Sequence, residues 1–479
     1  MNITKISKNI QNSLTSYLGN FPTVLSIVQK IDDAGGRALL VGGAVRDLLL
    51  GVAIKDLDIE VHGVSAKKLE SILKSFGSVS LVGKSFGVFR LHGLRELDVD
   101  WSLPRKDSEG RKPEVEIDPF MSFADAFSRR DLTINAMGID LISYELIDPC
   151  NGYEHLEKKV LAAPDKRKFV QDPLRFYRVM QFIGRFGMYP NNELNQICKT
   201  MDISNISIER IELEFEKLML QAKKPSLGIR WIKDISRLSE VLPELADIID
   251  VPQEPSWHPE GGVFEHTMQC IDAAAAMEYD TDKEKLRVIY AVLCHDLGKV
   301  KTTEKIGGQW KSFGHSKEGV KLAKKLLSRI TKNKDLRDTV SILVRYHMAP
   351  SQFVASKAKP AAYKRLAKKL APDATLTMLA KVSRADKLGR NPIKGAPLSK
   401  NYPTPIIDKF LKIAKAAQVE KIPEPPVLLG RDLMDKIEPG PQMGELLKKA
   451  YEIQIEQNIK DKQELKKIIF EMEPKEEEK

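Results

Sequence analysis

The sequence predicts an α+β protein: an N-terminal α/β head built on a small mixed sheet, followed by helical regions to the end. Three observations carry this reading. Short β-type runs separated by turns crowd into the first 150 residues, and apolar residues at three- and four-residue spacing dominate after Leu156. A chain of 479 residues is also long enough for about three domains of ordinary size, so it can bury large cores without disulfides or metals.

Within the head, Ala38–Val41, Leu57–Val61, Gly87–Leu91 and Leu97–Ser102 read as strands, with helical stretches near 22–33 and 65–76. Beyond it, Leu174–Phe186, Ile208–Gln221 and Glu284–Cys294 carry helical periodicity. Gln253–Gly262, rich in Pro and Gly, reads as a loop, and Lys421–Pro426 as a stiff connector. The lysines at 364–369 and 409–415 read as solvated helix faces, and the acidic and basic tail from Glu471 as disordered. The division expected is a head over 1–150, a helical neck over 151–222, a helical body over 223–400 and a tail over 401–479.

Composition narrows the function classes. Lys+Arg 76 against Asp+Glu 66 gives +10, and the isoelectric point near 9.1 suits a polyanionic partner. With 42% hydrophobic and 30% charged residues and a mean hydropathy of -0.29, global disorder is excluded. Cys150, Cys198, Cys270 and Cys294 lie far apart with no CxxC pair, which argues against a zinc ribbon or a disulfide framework and for a reducing compartment. No apolar run approaches the ~20 residues that span a bilayer. A cytoplasmic protein with no membrane partner is expected.

The first chemical constellation opens at Val41-Gly-Gly-Ala-Val-Arg-Asp47, a turn from strand to helix, followed by Lys55-Asp-Leu-Asp-Ile-Glu60 as the next strand. Alternation puts Asp56 and Asp58 on one face while Leu57 and Ile59 enter the core. Two carboxylates converging on one point call for a cation, and Mg²⁺ takes a few carboxylate oxygens plus substrate phosphates. Gly42 and Gly43 let backbone amides approach a triphosphate. Arg129-Arg-Asp-Leu-Thr-Ile-Asn135 adds guanidinium forks for phosphate oxygens and polar groups for a ribose. Asp172 and Arg175, three apart, read as one helix face on which a carboxylate accepts from an exocyclic amine and a guanidinium donates to a ring acceptor.

This ordered series, with Asp148-Pro-Cys-Asn-Gly152 and Glu209-Arg-Ile-Glu-Leu-Glu214, resembles the class II tRNA nucleotidyltransferases, the CCA-adding enzymes and the bacterial poly(A) polymerases. It covers about residues 38–220. The resemblance implies that Asp56 and Asp58 hold catalytic Mg²⁺, with Asp100 as a third acid that shares its strand face with Asp98. It places nucleotide contacts at Gly42, Gly43, Arg46, Arg129, Arg130, Asp131, Asn135 and Arg178. Asp172 and Arg175 match the protein template that selects CTP and ATP, whose first position is Gln171 here instead of Glu.

The second constellation lies in the helical body: Phe264-Glu-His266, Cys294-His-Asp-Leu-Gly-Lys299, Gly314-His-Ser, Tyr346-His-Met and Ala385-Asp-Lys387. Of eight histidines, four fall in this set. A helix broken at Asp-Leu-Gly lets His295 and Asp296 face one point. The order resembles that of HD-domain metal phosphohydrolases, which implies His266, His295, Asp296 and Asp386 as ligands of a divalent metal, Mn²⁺, Ni²⁺, Fe or Mg²⁺. His315 and His347 stand as candidates for a second metal or for phosphate contact.

Together the two resemblances imply template-independent addition of C and A to tRNA 3′ ends from CTP and ATP, with a phosphohydrolase acting on 2′,3′-cyclic or monoester phosphates. The polar segment Leu103–Met121 suits a flexible loop used in adding the terminal A. A CC-adding enzyme, an A-adding enzyme and a poly(A) polymerase are the alternatives within the class. Outside it stand a metal phosphohydrolase whose head is an RNA-binding remnant and a nonenzymatic RNA chaperone.

Overall fold

The computed structural model describes residues 2–54, 56–82, 87–92, 99–107 and 115–471. The chain forms two compact units, the first of Met1–Glu214 with Asp234–Ser236, the second of Phe215–Lys233 with Arg237–Lys479.

The first unit is built on a mixed sheet larger than the four predicted strands. Its eight strands are β1 (Asn2–Lys5), β2 (Arg37–Val41), β3 (Leu57–His62), β4 (Ser78–Val82), β5 (Val88–His92), β6 (Val99–Ser102), β9 (Gly138–Asp140) and β10 (Glu145–Asp148). They lie in the order β1-β10-β9-β2-β3-β6-β5-β4, and only β3 and β6 run parallel. The short β9 and β10 carry too few residues for alternation to show, and their partners define them. Leu97 and Asp98 of the predicted fourth strand lie outside the described residues. Between them in sequence, β7 (Arg105–Asp107) pairs antiparallel with β8 (Val115–Ile117), so the described flanks of the predicted loop form a hairpin ladder; 108–114 lie outside the described residues.

Ala38, Leu39, Leu40 and Val41 are all buried because β2 is central and covered on both faces, whereas β3 alternates at its start, with Leu57 and Ile59 in the core. Pro22 opens the helix Pro22–Asp33 and Gly187, in the left-handed region, ends the helix Leu174–Phe186. The motif Asp148–Gly152 proves to be architectural. Asp148 accepts from Gly152 N at 2.7 Å and Tyr153 N at 2.9 Å. A Cβ on Gly152 would lie 2.2 Å from the Thr133 carbonyl, on the short turn Thr133–Asn135.

The second unit is helical, with one antiparallel hairpin, Thr303–Ile306 with Gln309–Ser312, that the helical reading misses. Helices Val263–Ala275, Asp282–Cys294, Lys334–Tyr346 and Leu376–Leu388 pack around Val288, Ile289, Val292, Leu343 and Leu379. Toward the C-terminus, Pro441–Gln457 and Lys462–Glu471 close a small core of Leu428, Leu433, Met443, Leu446 and Leu465. The reading of 364–369 as a solvated face holds for Lys368 and Lys369, which are exposed, and is corrected at Lys364. Lys364 is buried, 2.6 Å from Glu424 and 2.9 Å from Asn458 Oδ1, and Arg365 pairs with Glu452 and Glu456, because this helix docks against Pro441–Gln457. Lys409, Lys412 and Lys415 are exposed. No helix among the described residues is long and apolar enough to cross a membrane.

Gly152→Ala is expected to lower stability by about 1–3 kcal/mol, since the methyl group meets main-chain atoms that cannot rotate away. Urea unfolding of the full chain reads this, and an unchanged midpoint would show that the turn yields freely.

Candidate functional site

The head site starts at the end of β2. Gly42 takes φ +72°, and a Cβ there would stand 3.1 Å from Arg130 Nη1 and 3.9 Å from Asp58 Oδ2. The turn therefore runs between an arginine and the acid pair, and only glycine gives both the conformation and the clearance. Asp56 is exposed just before β3, and Asp58 follows two residues later on the same face. Asp100 on β6 is the direct cross-strand neighbour of Asp58. Desolvation in the cleft raises the Asp58 carboxyl above its ordinary range; Arg130 opposes this, and Asp100 and Asp56 add to it. Asp100 is itself gripped by Arg90, through Nε at 3.0 Å and Nη2 at 3.2 Å. Asp98 lies outside the described residues.

The remaining predicted head residues divide into two groups. Arg46, Asn135 and Asp131, all buried, form one chain with the half-buried Arg178: Arg46 Nη1 donates to Asn135 Oδ1 (2.7 Å), Asn135 Nδ2 to Asp131 Oδ1 (3.0 Å), and Arg178 Nε to Asp131 Oδ2 (2.6 Å). Arg46 also lies over the Phe182 and Phe186 rings. Although burial opposes its charge, Asp131 is held down to about 2 by Arg178, Asn135 and its own backbone contact with Leu132. Arg129 and Arg130 form the second group, and both approach Glu60.

Asp172 and Arg175 do not share a helix face. Pro173 lacks an N–H and restricts its predecessor, so the helix begins at Leu174 and Asp172 sits in the turn before it, accepting from Leu174 N at 3.2 Å. Arg210 Nη2 approaches both Asp172 oxygens, at 3.0 and 3.1 Å. Arg175 donates to the carbonyls of Lys168 (2.7 Å) and Arg129 (2.5 Å). Sequence reasoning missed Arg210 and Glu60, although alternation along β3 places Glu60 on the face of Asp58.

In the second unit, five segments bring six predicted residues together. His295 caps the helix Asp282–Cys294, and Asp296 follows as the chain turns. A Cβ on Gly298 would fall 2.0 Å from the His315 carbonyl, so glycine brings that turn against the start of the helix His315–Ile330. Each imidazole is oriented through Nδ1: His295 to Val292 O, His315 to Ser312 O and His347 to Val344 O, all at 2.7 Å, and His266 to Glu260 Oε1 at 2.6 Å. For the three rings whose Nδ1 faces a carbonyl, Nδ1 donates and Nε2 of the neutral ring is left as an acceptor. These nitrogens converge on acids. His266 Nε2 is 3.2 Å from Asp386 Oδ1 and 3.6 Å from Asp296 Oδ2, and His295 Nε2 is 3.2 Å from that same oxygen. On the other side of the carboxylate, Asp296 Oδ1 is 3.4 Å from His315 Nε2, which lies 3.1 Å from His347 Nε2. Burial, reinforced by His315 and His295, pushes His347 down to about 3. Imidazole nitrogens and carboxylate oxygens from five segments thus lie close together, and a divalent cation fits this donor set.

Lys299 Nζ, buried, reaches Asp296 Oδ2 at 2.7 Å and Gln253 Oε1 at 2.6 Å, and Arg390 Nη2 reaches Asp386 Oδ1 at 2.7 Å. Glu260, His258 and Lys299 were not singled out by sequence. The Trp-His-Pro-Glu run before His266 is the signal for His258 and Glu260, and the His-Asp-Leu-Gly-Lys run that for Lys299.

Such a sheet carrying a DxD strand, with a separate helical histidine–aspartate cluster, defines a nucleotidyltransferase head on a chain that also carries an HD domain. Residues 38–162 match the Poly A polymerase head domain family and residues 263–391 the HD domain family. The chain is 33% identical over 319 residues to the multifunctional CCA protein of Pasteurella multocida, covering 65% of this chain and 74% of that one, and 34% identical over 320 residues to that of Vibrio campbellii, covering 65% and 75%. It therefore belongs to the multifunctional CCA proteins, class II tRNA nucleotidyltransferases of the CCA-adding kind with an HD domain. Its fold is similar to that of the Thermotoga maritima CCA-adding enzyme solved with tRNA (TM-score 0.59, 20% identity, 98% and 99% of the two chains). The Bacillus stearothermophilus CCA-adding enzyme solved with CTP is likewise similar (TM-score 0.61, 19% identity, 94% and 97%).

Because the folded Asp131 carboxyl sits at about 2, below its unfolded value, its stabilisation is present above about pH 4 and is lost as pH falls through 2. Asp131→Asn is expected to cost about 2 kcal/mol at pH 7 and to flatten the fall in stability between pH 4 and 2. Denaturant unfolding across that range measures it, and parallel curves for variant and wild type would refute it.

Proposed function

We propose that the head adds C, C and A to tRNA 3′ ends from CTP and ATP, and that the HD domain hydrolyses 2′,3′-cyclic and monoester phosphates. The observation that carries the first part is the placing of Asp58 and its cross-strand neighbour Asp100 near the Gly42 turn, with Asp56 two residues before Asp58 and Arg130 at the same turn. The terminal hydroxyl of tRNA attacks the α-phosphate of the nucleotide, its proton leaves, a phosphodiester forms and pyrophosphate departs. Mg²⁺ held by Asp56 and Asp58 supplies charge stabilisation at the phosphate oxygens when bound. Arg129 and Arg130 grip the triphosphate, and the Gly42–Gly43 backbone allows its approach. Asp172 and Arg175 read the base edge, each presented from a turn or helix start that neighbouring groups fix. The net charge of +10 favours the acceptor arm of tRNA.

Supporting the second part are the four imidazoles with Nε2 turned inward and the Asp296 carboxylate facing both sides of the cluster. A divalent metal on His266, His295, Asp296 and Asp386 supplies Lewis acidity and an activated water when bound. His315 and His347, as acceptors, suit a second metal position better than a direct phosphate contact, which needs donors. Lys299 brings positive charge to the same pocket.

Asp58→Asn is expected to reduce incorporation of both CTP and ATP by at least about a thousandfold while metal uptake by the HD domain stays at the wild-type level. Gel assays on tRNA lacking its last three nucleotides, with calorimetric Mn²⁺ titration in parallel, test this; near-normal incorporation removes the head assignment. His295→Ala is expected to lower Mn²⁺ or Ni²⁺ affinity and abolish release of phosphate or opening of cyclic phosphate, leaving nucleotide addition intact. A wild-type protein that binds these ions but hydrolyses neither substrate would make the domain a scaffold.

A further inference from the structure

Within the head, Glu60 is the most buried charged group near the acid pair, at 1% exposure, and the resemblance assigns it no role. It stands on β3 two residues beyond Asp58, and so on the same face of the strand. One oxygen meets His62 Nε2 at 3.1 Å, and the other accepts from Arg130 Nη2 at 3.3 Å and lies 3.7 Å from Arg129 Nη2. Glu60 is a buried carboxylate that lies within ion-pair distance of two adjacent guanidiniums.

We propose that Glu60 is a positioning residue for nucleotidyl transfer, a buried carboxylate that presets Arg129 and Arg130 as a cationic cradle for the triphosphate of the incoming nucleotide. The proposal rests on the reading of the head given above. Two guanidiniums against one carboxylate leave one net positive charge for the ligand, and the shared carboxylate offsets the repulsion between neighbouring arginines. Arg130 spans the two sets of acids, with Nη2 on Glu60 and Nη1 beside Gly42 and Asp58. Its buried Nε has no hydrogen-bond partner, so the fork keeps donor capacity while its direction is fixed. Without Glu60, Asp56 and Asp58 become the nearest compensating anions, and Arg130 is drawn onto the ligands that Mg²⁺ needs. The carboxylate therefore aims the cations and keeps Arg130 off the metal acids.

The test uses the full chain with Glu60→Gln, which keeps shape and loses charge, and Glu60→Asp, which keeps charge but shortens the reach. For Glu60→Gln, KM for CTP and for ATP should rise together by about tenfold, and inhibition by pyrophosphate should weaken in parallel. KM for tRNA and the ratio of C to A incorporation should stay near wild type, the thermal midpoint should fall because a buried ion-pair partner is lost, and Glu60→Asp should fall between. Higher Mg²⁺ should recover part of the Glu60→Gln loss. A drop in thermal midpoint with unchanged nucleotide KM would make Glu60 structural only and overturn the proposal, as would a fall in kcat alone. If the wild type adds no nucleotide, the reading of the head fails and this proposal with it. If the wild type adds nucleotides and Glu60→Gln keeps its KM values, only the proposal fails.

Discussion

Groups that can only accept a hydrogen bond do not gather in one place unless a cation joins them. This constraint organises both units. In the head it acts on Asp56 and Asp58, two residues apart, with Asp100 set beside Asp58 by the single parallel strand pair of an otherwise antiparallel sheet. In the helical unit it acts on four imidazoles whose Nδ1 atoms face outward to carbonyls or to Glu260, so that Nε2 of His266, His295 and His315 meets carboxylates and Nε2 of His347 meets that of His315. Stability alone would avoid such arrangements, since crowded acceptors cost free energy, and the surrounding scaffold must hold them in place.

The scaffolds meet that demand differently. The head uses a largely buried polar chain, Arg46–Asn135–Asp131–Arg178, that ties the turn after the arginine pair to two helices, with Phe182 and Phe186 closing over it. Networks of this kind rigidify only when every member is satisfied. The helical unit relies more on helix ends: His295 and His347 both follow the last residue of a helix, where carbonyls without intrahelical partners are free to accept from imidazole.

Much of this was legible in the sequence. Helices at 22–33, 174–186 and 208–221 have the predicted bounds because their periodicity is long, and Pro or Gly marks the ends of the first two. Motif order located both clusters, and the alternation of Asp-Leu-Asp-Ile-Glu placed the acids on a common face. What sequence could not give was partnership. Strands of three or four residues become strands only through their neighbours, as β9 and β10 do. Asp172 looked like a helical residue until Pro173 is weighed, and Lys364 looked solvated because nothing local shows that Glu424, sixty residues on, comes to meet it. The burial of Arg46 and Asp131 likewise depends on contacts distant in the chain.

Gly298 shows what main-chain contact means for the freedom of a sequence to vary. Its Cα position faces the His315 carbonyl and the Gly319 amide, so the segment bearing His295 and Asp296 is spaced from the segment bearing His315 by backbone atoms. Side chains around the cluster can change in size and be accommodated by neighbours, but this spacing has no side chain to adjust. The ruler for the cluster is written in atoms that every residue shares, and a methyl group at Gly298 would break it.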